Sequence, residues 1–329
     1  LATFIDASQH TVIGAVDTAS QTVLALQAAH RQHKGSDSPH LVDMLALMDG
    51  AEPALALARE IERLGAGAGP HRHALASVKL LAPVPVPRQI RDFNNAEDHM
   101  RNAPAGMQML VARMKGQPVP ARSEVQVSIP DVNFSQPIFY ISNRFNVVGT
   151  EATVEWPSYS EWFDYEGEFG FFIGKGGKNI SKADAPKHIF GYTVFNDFSA
   201  RDKQIREMEG RMGPTKGKSF DTGNAMGPWI VTIDEFYPDS AVMTVRVNGE
   251  VRSIGNSSSM TVKFEDLIAF ISTSETLHAG EILGSGTVGG GCGLEAGKLL
   301  ADGDMIELEV EGIGTLRNTV FAAKQENQV

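Results

Sequence analysis

The chain has 329 residues, 42% of them hydrophobic, and 29 basic against 40 acidic side chains give it a net charge of −11. That is ample for a large core, read as one big domain plus a small one, and the lack of any basic stripe excludes nucleic acid as an expected partner. No apolar run approaches the roughly 20 residues of a membrane span, no signal-peptide pattern opens the chain, and the single cysteine, Cys292, excludes a disulfide framework or multi-cysteine zinc site; a soluble cytoplasmic protein is the expectation.

Residues 1–80 read as a small N-terminal α+β domain. Thr3–Ile5 and Val12–Val16 suggest short strands about a turn, and Thr22–His30, Leu41–Met48 and Ala51–Leu64 have helical periodicity. Gly65-Ala-Gly-Ala-Gly-Pro70 stops the last of these. Leu80-Leu-Ala-Pro-Val-Pro-Val-Pro87 is too proline-rich for a helix or central strand and predicts an extended linker or edge segment. Residues 81–329 are then assigned to a catalytic domain. A helix is predicted over Ala96–Met114, followed by an irregular stretch to residue 135. Met107, Met109 and Met114 read as gap-filling core methionines. Strands follow at Phe169–Ile173, Ile189–Asn196, Trp229–Thr232, Met243–Val247, Met305–Val310 and Thr315–Val320, with helices at Ser199–Met208 and Phe264–Ser272. The pattern is β-rich α+β, without the regular βα alternation of a doubly wound sheet.

Several motifs carry nothing. Gly284-Ser-Gly-Thr-Val-Gly289 matches G-x-G-x-x-G but opens no helix and sits in no βαβ unit. His71-Arg-His73 lies in a Gly/Pro turn and reads as two solvated imidazoles. Cys292, among glycines, reads as a small residue in a tight turn. Glu307, Glu309 and Glu311 alternate with Ile306, Leu308 and Val310, the pattern of a strand with one solvated face.

A second acidic set keeps different company. Glu166 and Glu168 are two apart, so on a strand both carboxylates share a face. Like charges held that close repel unless a cation sits between them, and carboxylate oxygens suit magnesium, manganese or calcium. Asp197 ends the strand Gly191–Asp197. Ser199 is a candidate N-cap with Asp202 completing a capping-box-like pair. Arg201 and Gln204, three apart, share a face of the helix that follows. Lys218 comes in Gly217-Lys-Ser-Phe220. Asp92 and His99 are seven apart and lie on one side if helix covers the span.

These segments resemble the fumarylacetoacetate hydrolase superfamily over roughly residues 85–325. The resemblance rests on Asp92-Phe-x5-His99, Asp164-Tyr-Glu-Gly-Glu168, Asn196-Asp-Phe-Ser-Ala-Arg-Asp-Lys-Gln204, Gly217-Lys-Ser-Phe220, Gly286-Thr287 and Glu311-Gly-Ile-Gly-Thr-Leu-Arg-Asn318, in the family's order. It implies a mixed β-roll catalytic domain behind a small N-terminal domain, a homodimer, and one divalent cation, magnesium first, with manganese or calcium as alternatives. It further implies Glu166, Glu168 and Asp197 as metal ligands, Asp92 as a further one, and His99 as general base. Glu295 is implied as the carboxylate that orients His99, though it stands closer to Thr287 than the family spacing has it. Arg201, Gln204 and Lys218 are implied as oxyanion and carbonyl contacts, with Thr287 beside them in substrate binding. Another branch keeps a glutamate three residues after its histidine; here that residue is Asn102, which favours Glu295. Asp164 is read as support behind the ligands.

The implied function is metal-dependent hydrolysis of a carbon–carbon bond in a β-diketone or acylpyruvate-type acid, in aromatic catabolism. Such cleavage needs a Lewis acid, a base for water and fixed donors for an oxyanion. A decarboxylase or hydratase of 2-oxo acids on the same fold is the nearest alternative. A catalytically silent ligand-binding protein is the alternative from another class. Pocket walls are expected from residues 103–145.

Overall fold

The computed structural model describes residues 1–67 and 69–322. Residues 1–80 build an antiparallel five-stranded sheet, in the order Arg72–Ala74, Thr22–Ala25, Thr11–Asp17, Ala2–Ile5, Lys79–Leu80. The helical reading of Thr22–His30 is half right: Thr22–Ala25 is a strand and the helix runs Leu26–Lys34. β-branched Thr22 and Val23 pair with Asp17 and Val16, and that pairing overrides the helical period. Leu41–Met48 divides into a 3-10 turn, Pro39–Leu41, and a helix, Met44–Asp49, capped by the Asp43 carboxylate at 2.7 Å from the Ala46 N–H. The proline-rich segment pairs at its start, Leu80 opposite Phe4 and the Leu81 N–H donating to the Thr3 carbonyl at 2.9 Å, along the sheet edge.

The rest of the chain curls two mixed sheets about one core. The larger has seven strands, in the order Phe139–Ser142, Ile90–Phe93, Ile282–Gly284, Gly167–Ile173, Ile189–Asp197, Asn224–Thr232, Val147–Val148. The smaller has five: Glu250–Asn256, Val242–Val247, Met305–Val310, Gly314–Ala322, Thr153–Trp156. Phe169, Phe171 and Tyr192 fill the space between them with Phe236 and Phe264. On Met305–Val310 the alternation is as expected: Ile306, Leu308 and Val310 are buried, while Glu307 and Glu309 pair with Arg317 and Arg246.

The opposite face of the seven-stranded sheet positions the site. Strand side chains alternate, so residues two apart share a face. Ile90, Phe172, Phe195 and Ile282 lie in one apolar cluster with Leu26, Leu47, Met48 and Ile61 of the N-terminal unit. Further along the same strands and face come Asp92, Glu168, Asp197 and Gly284. One end of the face is therefore sealed by N-terminal helices, and the other carries carboxylates. Gly284 is required there, because a Cβ would sit 2.3 Å from Asp92 Oδ1 and 2.9 Å from the Phe195 ring. Among the described residues no helix is long and apolar enough to cross a membrane.

Candidate active site

Four acids converge as the spacing suggested. Asp92, Glu166 and Glu168 bring carboxylate oxygens within 4.8 Å of one another, all buried. Asp197, fully buried, joins them through Lys218, whose Nζ donates to Glu166 Oε2 at 2.8 Å and to Asp197 Oδ2. Glu168 is held from below: the Gly286 N–H and the Thr287 hydroxyl donate to its two oxygens at 3.1 and 3.0 Å. Tyr140 donates to Asp197 Oδ2 at 2.6 Å. Burial and the charge of Asp197 push Asp92 up to about 8. Burial, with Asp92 alongside, pushes Glu168 well above the carboxylate range. Glu166 goes the other way: Lys218 and Arg201 together outweigh its burial and hold it low. Five buried carboxylates, with Asp164, thus face two cations. Asp92 Oδ1 and Asp197 Oδ1 are buried with no hydrogen-bond partner, a costly arrangement in a closed protein interior. An excess of negative charge with orphaned oxygens fits a hard divalent cation.

The basic residues occupy places that differ from free donors. Arg201, buried at the start of the Arg201–Glu209 helix, donates to Asp164 Oδ2 at 2.8 Å, Glu166 Oε1 at 2.7 Å and Gln204 Oε1 at 2.9 Å. Lys218 directs its donors at Glu166 and Asp197. Both were expected as oxyanion contacts; both line the cavity, and both direct donors at buried carboxylates. Gln204 lines the same cavity as Arg201 and Lys218, and its Oε1 accepts from Arg201. Thr287, expected to touch substrate, spends its hydroxyl hydrogen on Glu168. The capping-box reading of Ser199 and Asp202 fails. Ala200 precedes the helix without a side-chain cap, Ser199 donates to the Asp197 carbonyl, and Asp202 accepts from Ser160 and Glu161.

His99 and Glu295 come together across 196 residues of sequence, Nδ1 to Oε1 at 2.6 Å. The other Glu295 oxygen accepts from the Gly290 N–H at 2.7 Å. With the carboxylate accepting, the neutral ring carries its proton on Nδ1 and presents the Nε2 lone pair. Asp92 and His99 do not share a helix, as the spacing had suggested. Asp92 lies in the Ile90–Phe93 strand, and the helix begins at Glu97. Gly106 lets that helix approach the Glu295 turn, since a Cβ there would lie 2.4 Å from the Leu294 carbonyl oxygen. Cys292, expected in a tight turn, is extended instead, bridging Glu166 just before the Gly293–Ala296 helix; its Sγ lies 3.5 Å from Glu295 Oε1, and burial pushes its thiol well up. Asp92, His99, Glu166, Glu168, Gln204 and Thr287 all line one cavity of about 370 Å³.

Three residues escaped the sequence reading as site elements. Asp164 accepts from Arg201 and from the Gly293 and Leu294 N–H groups at 2.7 and 3.1 Å, tying the acid cluster to the Glu295 turn; it had been read only as support. Tyr140 gave no signal, being one aromatic on an unassigned strand. Arg122 donates to the carbonyls of Asn102, Leu294 and Glu295 at 3.0, 2.9 and 2.8 Å. It clasps the His99 helix to the Glu295 turn from a segment with no regular pattern. Met107, read as core filling, packs against the Leu110, Cys292 and Leu294 cluster and lines the cavity as well.

Residues 89–321 match the family model of the fumarylacetoacetate (FAA) hydrolase C-terminal domain. The chain belongs to that family of enzymes. It is 34% identical over 258 residues to oxaloacetate tautomerase YisK of Bacillus subtilis (strain 168), covering 77% of this chain and 76% of that protein. Among solved structures it is similar to fumarylacetoacetate hydrolase from psychrophilic Exiguobacterium antarcticum, with TM-score 0.73 and 26% identity over 98% of this chain and 99% of that one. It shares its fold with maleylpyruvate hydrolase from Sphingobium sp. SYK-6, solved in complex with manganese(II) and pyruvate, at TM-score 0.69, 22% identity and the same 98% and 99% coverage.

Proposed function

We propose that the chain is a divalent-cation-dependent hydrolase that cleaves the carbon–carbon bond of an acylpyruvate-type β-diketone acid. The observation that carries this reading is the His99–Glu295 pair, 2.6 Å apart, opening on the same cavity as the carboxylates. Asp92, Glu166, Glu168 and Asp197 are the residues that would hold the cation, with magnesium, manganese or calcium all matching an all-oxygen donor set. Bound there, it would supply Lewis-acid polarisation of the substrate's oxygens. That manganese(II) and pyruvate occupy a protein of the same fold supports both halves of the assignment.

The protein's own groups account for the rest. His99 Nε2 takes a proton from a water as its oxygen attacks the acyl carbonyl, and Glu295 stabilises the imidazolium that results. Gln204, its amide oriented by Arg201, donates to the developing oxyanion. When that intermediate collapses, the bond between the acyl carbon and the pyruvate methylene breaks. His99 then returns its proton to the methylene carbon. The products are a carboxylic acid and pyruvate, with one water consumed.

A second reading is favoured by the relative from Bacillus subtilis: keto–enol proton transfer in a 2-oxo acid, using the same base without water. Turnover in ¹⁸O-water and in deuterium oxide separates the two. Label in the released carboxylic acid supports hydrolysis. Deuterium entering carbon 3 of an intact 2-oxo acid, with no cleavage, supports the tautomerase instead.

A further inference from the structure

The cavity has two chemically different ends. The inner end holds the carboxylates, His99 and Gln204. The rest of the lining, taken as the outer end, is largely apolar: Met100, Ala103, Pro104 and Met107 follow His99 along the Glu97–Met114 helix, and Phe139 and Met208 line the cavity with them. Pro104 lies inside that helix and adds an apolar ring to the wall. The only cations lining the cavity, among the described residues, are Arg201 and Lys218. Both are at the inner end, and both are already engaged: Arg201 by Asp164 and Glu166, Lys218 by Glu166 and Asp197. A negative group brought to the outer end therefore meets methionine, phenylalanine and proline. That wall offers a carboxylate no cationic partner, and to the extent that it is desolvated there it is disfavoured relative to an apolar group.

We infer that the arm of the substrate beyond the cleaved carbonyl is apolar. The chain takes monocarboxylic acylpyruvates with an alkyl or aryl acyl group, and selects against acids that carry a second carboxylate at the far end. This rests on the reading above, in which the 2-oxo acid head lies at the carboxylate end. Oxaloacetate and maleylpyruvate are both dicarboxylic, so the preference sets this pocket apart from the substrates named for similar proteins. Met107, half-buried on the wall, is the residue whose side chain most directly decides it.

Binding tests the inference independently of turnover. Titration calorimetry on the magnesium-loaded protein would compare pyruvate, 2-oxohexanoate and 2-oxooctanoate with dicarboxylates of matching length, 2-oxoadipate and 2-oxosuberate. The expected result is about fourfold tighter binding per added methylene along the monocarboxylic series, and each dicarboxylate at least about 100-fold weaker than its monocarboxylic match. Met107→Arg should narrow or reverse that gap. Hydrolysis of hexanoylpyruvate and of its carboxylate-terminated analogue is measured alongside. Dicarboxylates that bind as tightly as their matches, or a carboxylate-terminated substrate that is hydrolysed faster, would overturn the inference and leave the hydrolase reading intact. A clear apolar ladder in binding with no hydrolysis of any acylpyruvate would sustain the inference and remove the hydrolase reading.

Discussion

Removing the carboxylate of Asp92 should make the metal-free protein more stable at neutral pH, and the gain should grow as pH rises. Asp92 is pushed up to about 8 by burial and by Asp197, against an ordinary value of 3.8. In the unfolded chain it is ionised above about pH 4, whereas in the metal-free fold it keeps its proton to about 8. Between these limits the folded state binds one proton more than the unfolded state, so stability falls as pH rises. The slope for one such group is about 1.4 kcal/mol per pH unit, or roughly 3 kcal/mol from pH 5 to pH 7. Glu168, raised for the same reasons, adds to this loss. Glu166, held low, is ionised in both states over the window and adds no slope. The assay is urea unfolding of wild type and Asp92→Asn in EDTA at pH 5, 6 and 7. The difference between the two proteins cancels the histidines elsewhere in the chain. In EDTA the wild type should lose roughly 3 kcal/mol relative to the variant across those two units. Saturating magnesium should abolish that loss for the wild type, because a bound cation replaces the proton. A wild-type-minus-variant difference that stays flat in EDTA, or grows in the wild type's favour, refutes the burial argument and with it the cation site built on it.

Other perturbations separate the parts of the site. His99→Ala should lower kcat by about 10²- to 10⁴-fold, while magnesium affinity by calorimetry stays within about twofold of wild type; a large loss of affinity would mean that His99 is a ligand. Arg122→Ala removes three hydrogen bonds between the His99 helix and the Glu295 turn. It should lower kcat about tenfold or more through loss of alignment, and Arg122→Lys should restore only part, since a lysine cannot span the carbonyls as a fork; equal KM and kcat in all three proteins would remove Arg122 from the dyad's support. Gly284→Ala places a methyl against Asp92 and Phe195. It should cost about 1–3 kcal/mol of stability and weaken magnesium binding at least tenfold, and an unchanged melting temperature would show that the sheet yields there without strain.

The Glu166–Glu168 pair was legible because its information is local, whereas Asp92, on a distant strand, was joined to it only by resemblance. A two-residue spacing on a strand determines that Glu166 and Glu168 point together, and the short turn from Asp197 to Arg201 brings the next strand end to the same place. The His99–Glu295 contact was not legible from physics, since its partners are 196 residues apart and no period links them; only resemblance suggested it, and at an irregular spacing. The resemblance implied Arg201 and Lys218 as oxyanion donors and carried no account of their charge pairing. Arg201 and Lys218 stand near the carboxylates in sequence, and the charge balance of a buried cluster explains why they turn inward. Only the count of five acids against two bases shows what the cluster lacks. Among the elements, the strands Ile90–Phe93, Phe139–Ser142 and Ile282–Gly284 were missed for one reason. Each is three or four residues long, below the window in which alternation can be told from chance.

The N-terminal unit acquires a purpose from the sheet face it covers. Ile90, Phe172, Phe195 and Ile282 lie on the same four strands, and the same face, as the residues that shape the site. Their cluster is completed by Leu26, Leu47, Met48 and Ile61. Without that cover, water would reach the sheet a few residues from Asp92, Glu168 and Asp197. Desolvation is the largest cause lifting all three, and a screened, hydrated cluster would lose the charge imbalance that draws a cation in. The apolar half of each strand thus sets the electrostatics of the acidic half. Covering this face is consequently coupled to the electrostatics of the carboxylates, although none of the described residues among the first 80 lines the cavity.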